Sequence, residues 1–191
     1  GCEVTSLGIQ VHGGMGYVEE AGAAQHYRDA RITPIYEGTN GIQAIDLVMR
    51  KLPMNEGAVA RSYLDELASL DSPLASSNDP RLSVMREALS PAVAALREAT
   101  EWLISREDPN DRLAGASPYL DMFGTVAGGA YLMRMALAAA AEERDAWLDA
   151  KIDTAAFYAH QILPRAAGWL PSTKAGASEL FAIPVDGLGT A

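Results

Sequence analysis

Apolar residues recur at intervals of three and four along most of the chain, and each recurrence predicts a helix with one buried face. Val4, Leu7, Ile9 and Val11 place the end of a helix over residues 1–12, closed by Gly13-Gly14, where the backbone reaches positive φ without a Cβ penalty. Met15 to Val18 reads as a short connection. Glu19 to Ile32 is expected to be the next helix, with acids in its first turn and Arg28 and Arg31 in its last, as the helix dipole favours. Pro34 ends it, because a residue before proline is pushed out of the α region. Ile35 to Gly38 is then a loop, and Asn40 with Gln43 after it resembles a capping box. Ile42, Ile45, Met49 and Leu52 supply the apolar face of the helix that follows, and Pro53 stops it.

Val59, Tyr63, Leu67 and Leu70 predict a helix over residues 56–70. Residues 71–80, rich in Ser, Pro, Asp and Asn, have the composition of a linker. Arg81 to Arg106 is expected to be helical with a kink or break near Leu89-Ser90, ahead of Pro91. Residues 108–111 read as a turn, Pro118 to Trp147 and Asp149 to Leu163 as long helices, and the chain beyond Trp169 as irregular. An alternating apolar run of strand length is absent from the sequence, so the fold class is all-α. The division this suggests is a helical bundle over residues 1–70, a linker over 71–80 and a second helical unit over 81–191.

Composition narrows the function classes. A net charge of −10 opposes a broad nucleic-acid footprint, which needs clustered Lys and Arg. The single cysteine, Cys2, cannot form an internal disulfide and fits a reducing compartment, so a cytoplasmic location is expected. The N-terminus has neither a start methionine nor a basic and apolar leader, and Gly1 to Val4 reads as the interior of a helix. The chain is therefore expected to be a C-terminal fragment of something longer. Met122 to Ala141 has few polar side chains, but Arg134 would cost about 2.5–3.5 kcal/mol at the centre of a membrane helix. A buried helix of a soluble bundle, with Gly124 and Gly128 admitting a close neighbour, is expected instead of a membrane span.

The residues that look chosen for chemistry lie between Gln10 and Arg50. Glu37, between Tyr36 and Gly38, stands on a loop that opens a helix. A carboxylate partly desolvated in such a place has a raised pKa and suits a general base. A loop glutamate taken at random is more often a solvated surface acid; Gly38, which permits close ligand approach, and the donors Thr39 and Asn40 weigh against that reading. Gly13-Gly14-Met15-Gly16 follows an apparent helix and not a strand, which argues against a dinucleotide-binding turn. His12, His26 and His160 have no Cys or second His at ligand spacing, so no metal site is expected. Arg28 and Asp29 are expected to tie the helix end to the next loop.

Three blocks taken together, residues 9–17, 27–32 and 35–43, resemble the C-terminal helical domain of acyl-CoA dehydrogenases in order and spacing. A softer likeness, from Asp121 through Tyr158 to Trp169, is to the helical extension of larger bacterial members, which act on fatty acyl-CoAs or short modified thioesters such as methylthiopropionyl-CoA. The resemblance implies that Glu37 is the catalytic base removing the α-proton of an acyl-CoA, with a β-hydride passing to FAD to leave a trans-2-enoyl-CoA. Fixed donors must stabilise the enolate-like charge; the resemblance supplies the backbone N–H of Glu37 and a flavin hydroxyl. It puts Tyr36 and Gly38 against the substrate. It puts Gln10, Val11, His12, Gly13 and Gly14 on FAD across a subunit interface, and Thr39 and Gly41 at further flavin positions. Asn40-Gly41 stands where smaller members carry Ser-Gln, which removes the glutamine side chain that makes that contact. An electron-transfer flavoprotein as acceptor and a homo-oligomer, dimer or tetramer, are implied as partners. The domains that supply most flavin and acyl-CoA contacts are not in the chain, so the fragment alone is expected neither to hold FAD tightly nor to turn over.

Two other classes compete. A non-catalytic helical module derived from this family would serve assembly through its apolar faces, although intact Glu37 and Gly38 count against degeneration. A nucleic-acid-binding relative is disfavoured by the acidic charge and the lack of a dense basic stripe.

Overall fold

The computed structural model of the chain describes residues 1–189, all helix, turn and irregular backbone, with no strand among them. Contacts divide the chain into two compact units, Gly1–Gln43 and Ala44–Ala191.

The first unit contains α1 (Cys2–Val11), the single-turn α2 (Gly14–Tyr17), a 3-10 turn at Glu19–Ala21, α3 (Ala23–Arg31) and the start of α4 (Asn40–Asp46). Helices α1 and α3 lie against each other. The helix expected over Glu19–Ile32 is interrupted because Gly22 adopts the left-handed conformation, φ 76°, which ends the 3-10 turn and lets α3 begin afresh. The expected connection after Met15 is itself a helical turn. Helix α1 buries none of its residues: Val4, Leu7 and Val11, the stripe expected to face a core, are exposed.

The second unit continues from α4 into a π-helical turn, Leu47–Lys51, in which the Leu52 N–H donates to the Leu47 carbonyl at 2.9 Å. The wider π turn keeps residues four apart on one face. The buried line is accordingly Ala44, Val48 and Leu52, while Ile42 and Ile45 are exposed. Asp46 binds Arg50 through two hydrogen bonds of 2.5 and 2.9 Å and Lys51 at 3.2 Å. A 3-10 turn at Met54–Gly57 follows, in which Asn55, Glu56 and Gly57 all have positive φ, and it leads into α5 (Ala58–Ala68). Leu64, Leu67 and Leu70 enter the core there, and Val59 stays exposed.

Residues 71–80 hold a short helix, α6 (Asp71–Ala75), whose Leu74 is buried against α7 (Pro80–Ser105). Helix α7 is unbroken through Pro91. Proline withholds only the bond to the carbonyl of residue 87, and Glu87 and Pro91 are both exposed, so water can satisfy that carbonyl. The turn expected at 108–111 is the start of α8 (Pro109–Ala114): Asp108 accepts from the Asn110 N–H at 2.8 Å and Pro109 takes the first helical position.

Helix α9 (Ala116–Ala140) is the spine, packed on α7 and α10 (Ala146–Gln161) and on two single turns, α11 (Arg165–Gly168) and α12 (Leu170–Thr173). Its Tyr119, Met122, Val126 and Met133 meet Leu82, Met85, Leu96 and Leu103 of α7 and Ile152 and Ala159 of α10 in one apolar core. A fully buried leucine contributes about 1.5–3 kcal/mol, so this core is where the unit's stability resides. By length and composition α9 could also cross a membrane; here its Arg134 pairs with Glu66 at 2.5 Å and its buried residues face the core. The close neighbour admitted by its glycines is Tyr158, which lies against Gly128 and Gly129 and donates to the Thr125 carbonyl at 3.0 Å; Gly124 faces open space. Helix α9 stops at Ala140, earlier than expected, and Asp145 caps α10 through the Leu148 N–H at 2.8 Å.

Candidate functional site

The loop between α3 and α4 is built by short-range bonds. Ile35 and Tyr36 donate to the Ile32 carbonyl at 2.9 and 3.1 Å, and the Asn40 N–H closes the loop onto the Pro34 carbonyl at 3.1 Å. Within that closure Glu37 takes φ 57° and Gly38 φ 84°. Left-handed backbone costs a non-glycine residue about 1–2 kcal/mol, and such outliers concentrate where a side chain must be aimed. Glu37 is exposed, and its carboxylate makes no hydrogen bond or ion pair among the described residues. Its backbone N–H and those of Gly38 and Thr39 are likewise unused by the loop. The partial desolvation expected of Glu37 is therefore not supplied within this unit.

The cap of α4 differs from the expected Asn40–Gln43 box. Thr39 provides it, its Oγ1 accepting from the Ile42 N–H at 3.3 Å. Gln43 reaches past Asn40, and its Nε2 donates to the Glu37 carbonyl at 3.0 Å. Tyr36, Gly38, Thr39 and Gly41 are all exposed around Glu37, so the structure brings these residues onto one loop and one helix start.

Gln10, Val11, His12, Gly13 and Gly14 form the end of α1 and the turn after it, and every one is exposed. Gly13 has φ 59° and ψ −143°, a conformation reserved for glycine, and nothing lies within 4 Å of where a Cβ would stand on Gly13 or Gly14. His12 Nδ1 pairs with the Gly8 carbonyl at 2.8 Å. His12 and His26 share a shallow pocket of about 300 Å³ with Val4, Thr5, Gly8 and Ala23. No hydrogen bond or ion pair joins this group to the Glu37 loop among the described residues. Gly16 is the packing glycine of the turn, since a Cβ there would strike the Ile9 carbonyl oxygen.

Arg28 does not tie α3 to the loop ahead. It grips Glu19 with two bonds of 2.9 and 2.7 Å and the Gln25 side chain at 2.7 Å, and Gln25 in turn holds Asp29 at 2.7 Å. The loop is anchored instead through Thr33 Oγ1, which donates to the Ala30 carbonyl at 2.8 Å. Cys2 Sγ bonds the same carbonyl at 3.3 Å. Among the described residues no group of three or more His, Cys, Asp or Glu is placed to hold a metal ion.

Residues 1–52 match the family described as "Acyl-CoA dehydrogenase, C-terminal domain", and residues 57–184 match "Acetyl-CoA dehydrogenase C-terminal like". The chain belongs to the acyl-CoA dehydrogenase family. It is 44% identical over 167 residues to the 3-methylmercaptopropionyl-CoA dehydrogenase of Ruegeria pomeroyi, covering 84% of this chain and 28% of that protein. It is 30% identical over 192 residues to a butyryl-CoA dehydrogenase of Syntrophomonas wolfei, covering 94% of this chain and 31% of that one. Identity rises to 60% over 60 residues with the mitochondrial short-chain specific acyl-CoA dehydrogenase of Homo sapiens, 31% of this chain and 13% of that protein. The chain thus spans less than a third of the length of these relatives.

Proposed function

We propose that this chain is the base-bearing C-terminal part of an FAD-dependent acyl-CoA dehydrogenase and that Glu37 removes the α-proton of a saturated acyl-CoA. The observation that carries this reading is the Glu37 loop: an exposed, unpaired carboxylate held at φ 57° beside Gly38 at φ 84°. In the step proposed, the Cα–H bond breaks and its proton passes to the Glu37 carboxylate. The β-hydrogen leaves with its electron pair, and the Cα–Cβ bond becomes double. FAD, when bound, supplies the acceptor for that hydride. The free N–H of Glu37 is available as a donor to the thioester oxygen, where negative charge develops. Gly38 and Tyr36, both exposed beside Glu37, lie against the substrate in this reading.

The residues proposed to touch FAD fit that task. Gly13 and Gly14 offer bare backbone, Val11 is 85% exposed and presents an apolar face to a planar ring, and Gln10 and His12 add polar side chains. Thr39 keeps its hydroxyl hydrogen, because its oxygen serves only as acceptor to Ile42. The exposed Val4–Leu7–Val11 stripe supports assembly with further domains or subunits in the whole protein, with an electron-transfer flavoprotein as acceptor and a cytoplasmic location in keeping with free Cys2. The same stripe also favours the second reading, a helical assembly module.

One experiment separates the two. The full-length protein is purified, its flavin spectrum recorded, and a panel of saturated acyl-CoAs that includes 3-methylmercaptopropionyl-CoA and butyryl-CoA is added with an electron-accepting dye. The expected result is flavin bleaching by a thioester and a loss of several orders of magnitude in Glu37→Gln. A Glu37→Gln variant that reacts like the wild type would refute the base assignment and leave the assembly module.

A further inference from the structure

We infer that Gln43 is a positioning residue for the proposed base, a role that rests on the assignment of Glu37 above. The Glu37 side chain takes its direction from a backbone conformation that an unconstrained glutamate avoids, so something outside the residue must hold it there. Two bonds do so. The Asn40 N–H to the Pro34 carbonyl, 3.1 Å, closes the loop but leaves the peptide planes inside it free to turn. The Gln43 Nε2 bond to the Glu37 carbonyl, 3.0 Å, fixes the plane between Glu37 and Gly38, and with it ψ of Glu37 and φ of Gly38.

Gln43 is well placed for the task. Its own backbone N–H is tied into the first turn of α4 by a 3.0 Å bond to the Thr39 carbonyl, so the side chain starts from a fixed point. The partner is a carbonyl, which only accepts, so the amide must present its NH2 and not its oxygen. The amide also lies over the open face of Gly38: a Cβ there would stand 3.2 Å from Nε2. Glycine at 38 and glutamine at 43 are therefore one device, the first making room for the amide and the second using it to lock the turn. Gln43 is itself exposed, and replacing it leaves the core intact.

The test uses the full-length, flavin-loaded protein with Gln43→Met, which keeps length and loses the donor, Gln43→Glu, which keeps shape and turns an acceptor toward the carbonyl, and Gln43→Lys, which restores a donor. Reaction geometry off by about 1 Å costs on the order of 100-fold. The rate of flavin reduction at saturating acyl-CoA is expected to fall roughly 10- to 100-fold in Gln43→Met and Gln43→Glu, with half-saturation, flavin content and melting temperature near wild type. Gln43→Lys is expected to recover most of the rate. Independently of turnover, hydrogen exchange at the Asn40 amide should quicken in Gln43→Met as the loop opens. Wild-type rates in Gln43→Met while Glu37→Gln is dead would overturn the positioning role alone. Loss of flavin or of melting temperature in step with rate would overturn it in favour of a structural role. An active Glu37→Gln would overturn the base assignment beneath it.

Discussion

The join between α7 and α10 offers the sharpest test of the energetics. Asp79 is the N-cap of α7 and its side chain is only 11% exposed; it accepts from the Arg81 N–H at 3.0 Å and from the Arg81 guanidinium at 2.6 and 3.0 Å. Arg81 also reaches Asp149 at 3.0 Å and Asp153 at 2.7 Å, and Arg144 pairs with Asp149. Replacing Asp79 with alanine removes a cap worth about 1 kcal/mol. It also strips Arg81 of its most buried partner, a charge-assisted contact worth about 1 kcal/mol more once the two surviving aspartates are allowed for. The expected loss of about 2 kcal/mol corresponds to roughly 4–8 °C in melting temperature for a unit of this size. Asp79→Asn keeps a capping oxygen and should lose about half as much. The acid limb carries the same information. Arg81, by its hydrogen bond above all, holds the Asp79 carboxyl below the ordinary aspartate range, and Arg144 and Arg81 do the same for Asp149. Stability from a depressed carboxyl is complete above the unfolded-state value of about 4 and is lost as pH falls through the lower folded value. Asp79→Asn should therefore flatten the decline below pH ~4 relative to wild type. Thermal and urea melts of the chain, followed by circular dichroism at pH 7 and through the acid range, read both effects. A loss below about 0.5 kcal/mol in Asp79→Ala, or equal losses in Ala and Asn, would refute the reasoning.

Two further perturbations test the core of the same unit. Thr100 Oγ1 donates to the Leu96 carbonyl at 2.7 Å, so it accepts from the fully buried Tyr119 hydroxyl, also at 2.7 Å, whose pKa burial pushes up to about 12. Thr100→Val orphans that hydroxyl and should cost about 1–3 kcal/mol, and adding Tyr119→Phe should recover part of the loss; strictly additive losses in the double variant would count against the pair. Gly115 is buried between α8 and α9, and a Cβ there would collide with the backbone carbonyl oxygen of Thr173, which cannot swing away as a side chain would. Gly115→Ala should lower stability by about 1–3 kcal/mol in the same melts, and an unchanged midpoint would show that α12 yields at no cost.

What is legible in the sequence is what local chemistry decides. Asp-Pro at 79–80 and 108–109 marks helix starts because the cap and the fixed proline φ act within two residues, and both helices begin there. In the sequence the first falls at the end of the expected linker and the second reads only as a turn, since a linker or turn and a capped first turn share the same residues. Apolar spacing finds the helices but not what covers them. Val4, Leu7 and Val11 have the right period and are exposed, whereas Ala44, with the smallest apolar side chain, is completely buried. The π turn at Leu47–Lys51 shifts the buried line by a fraction of a turn, and no residue type announces it. Gly22 is legible in principle, because a glycine inside a helical pattern is its weakest point, yet only its left-handed φ shows that the chain breaks there.

The Glu37 loop sits between these cases. Its parts lie within ten residues, Pro34 to Gln43, so proline, glycine and threonine each report a local backbone demand, and the residue order alone singles the segment out as a candidate site. The bonds that tie the parts together do not show in that order. The sequence pairs Gln43 with Asn40 by the capping-box spacing, whereas the structure gives its amide to the Glu37 carbonyl, six residues back. The capping rule fails because Thr39 has already capped the helix, leaving the glutamine free for another acceptor. The acceptor it takes is the carbonyl of the left-handed residue, at 3.0 Å. A departure from a local rule next to a strained backbone is what a functional site produces when side-chain direction matters more than helix stability. Glu37, Gly38 and Gln43 are accordingly best treated as one unit in mutagenesis, and their effects should prove non-additive.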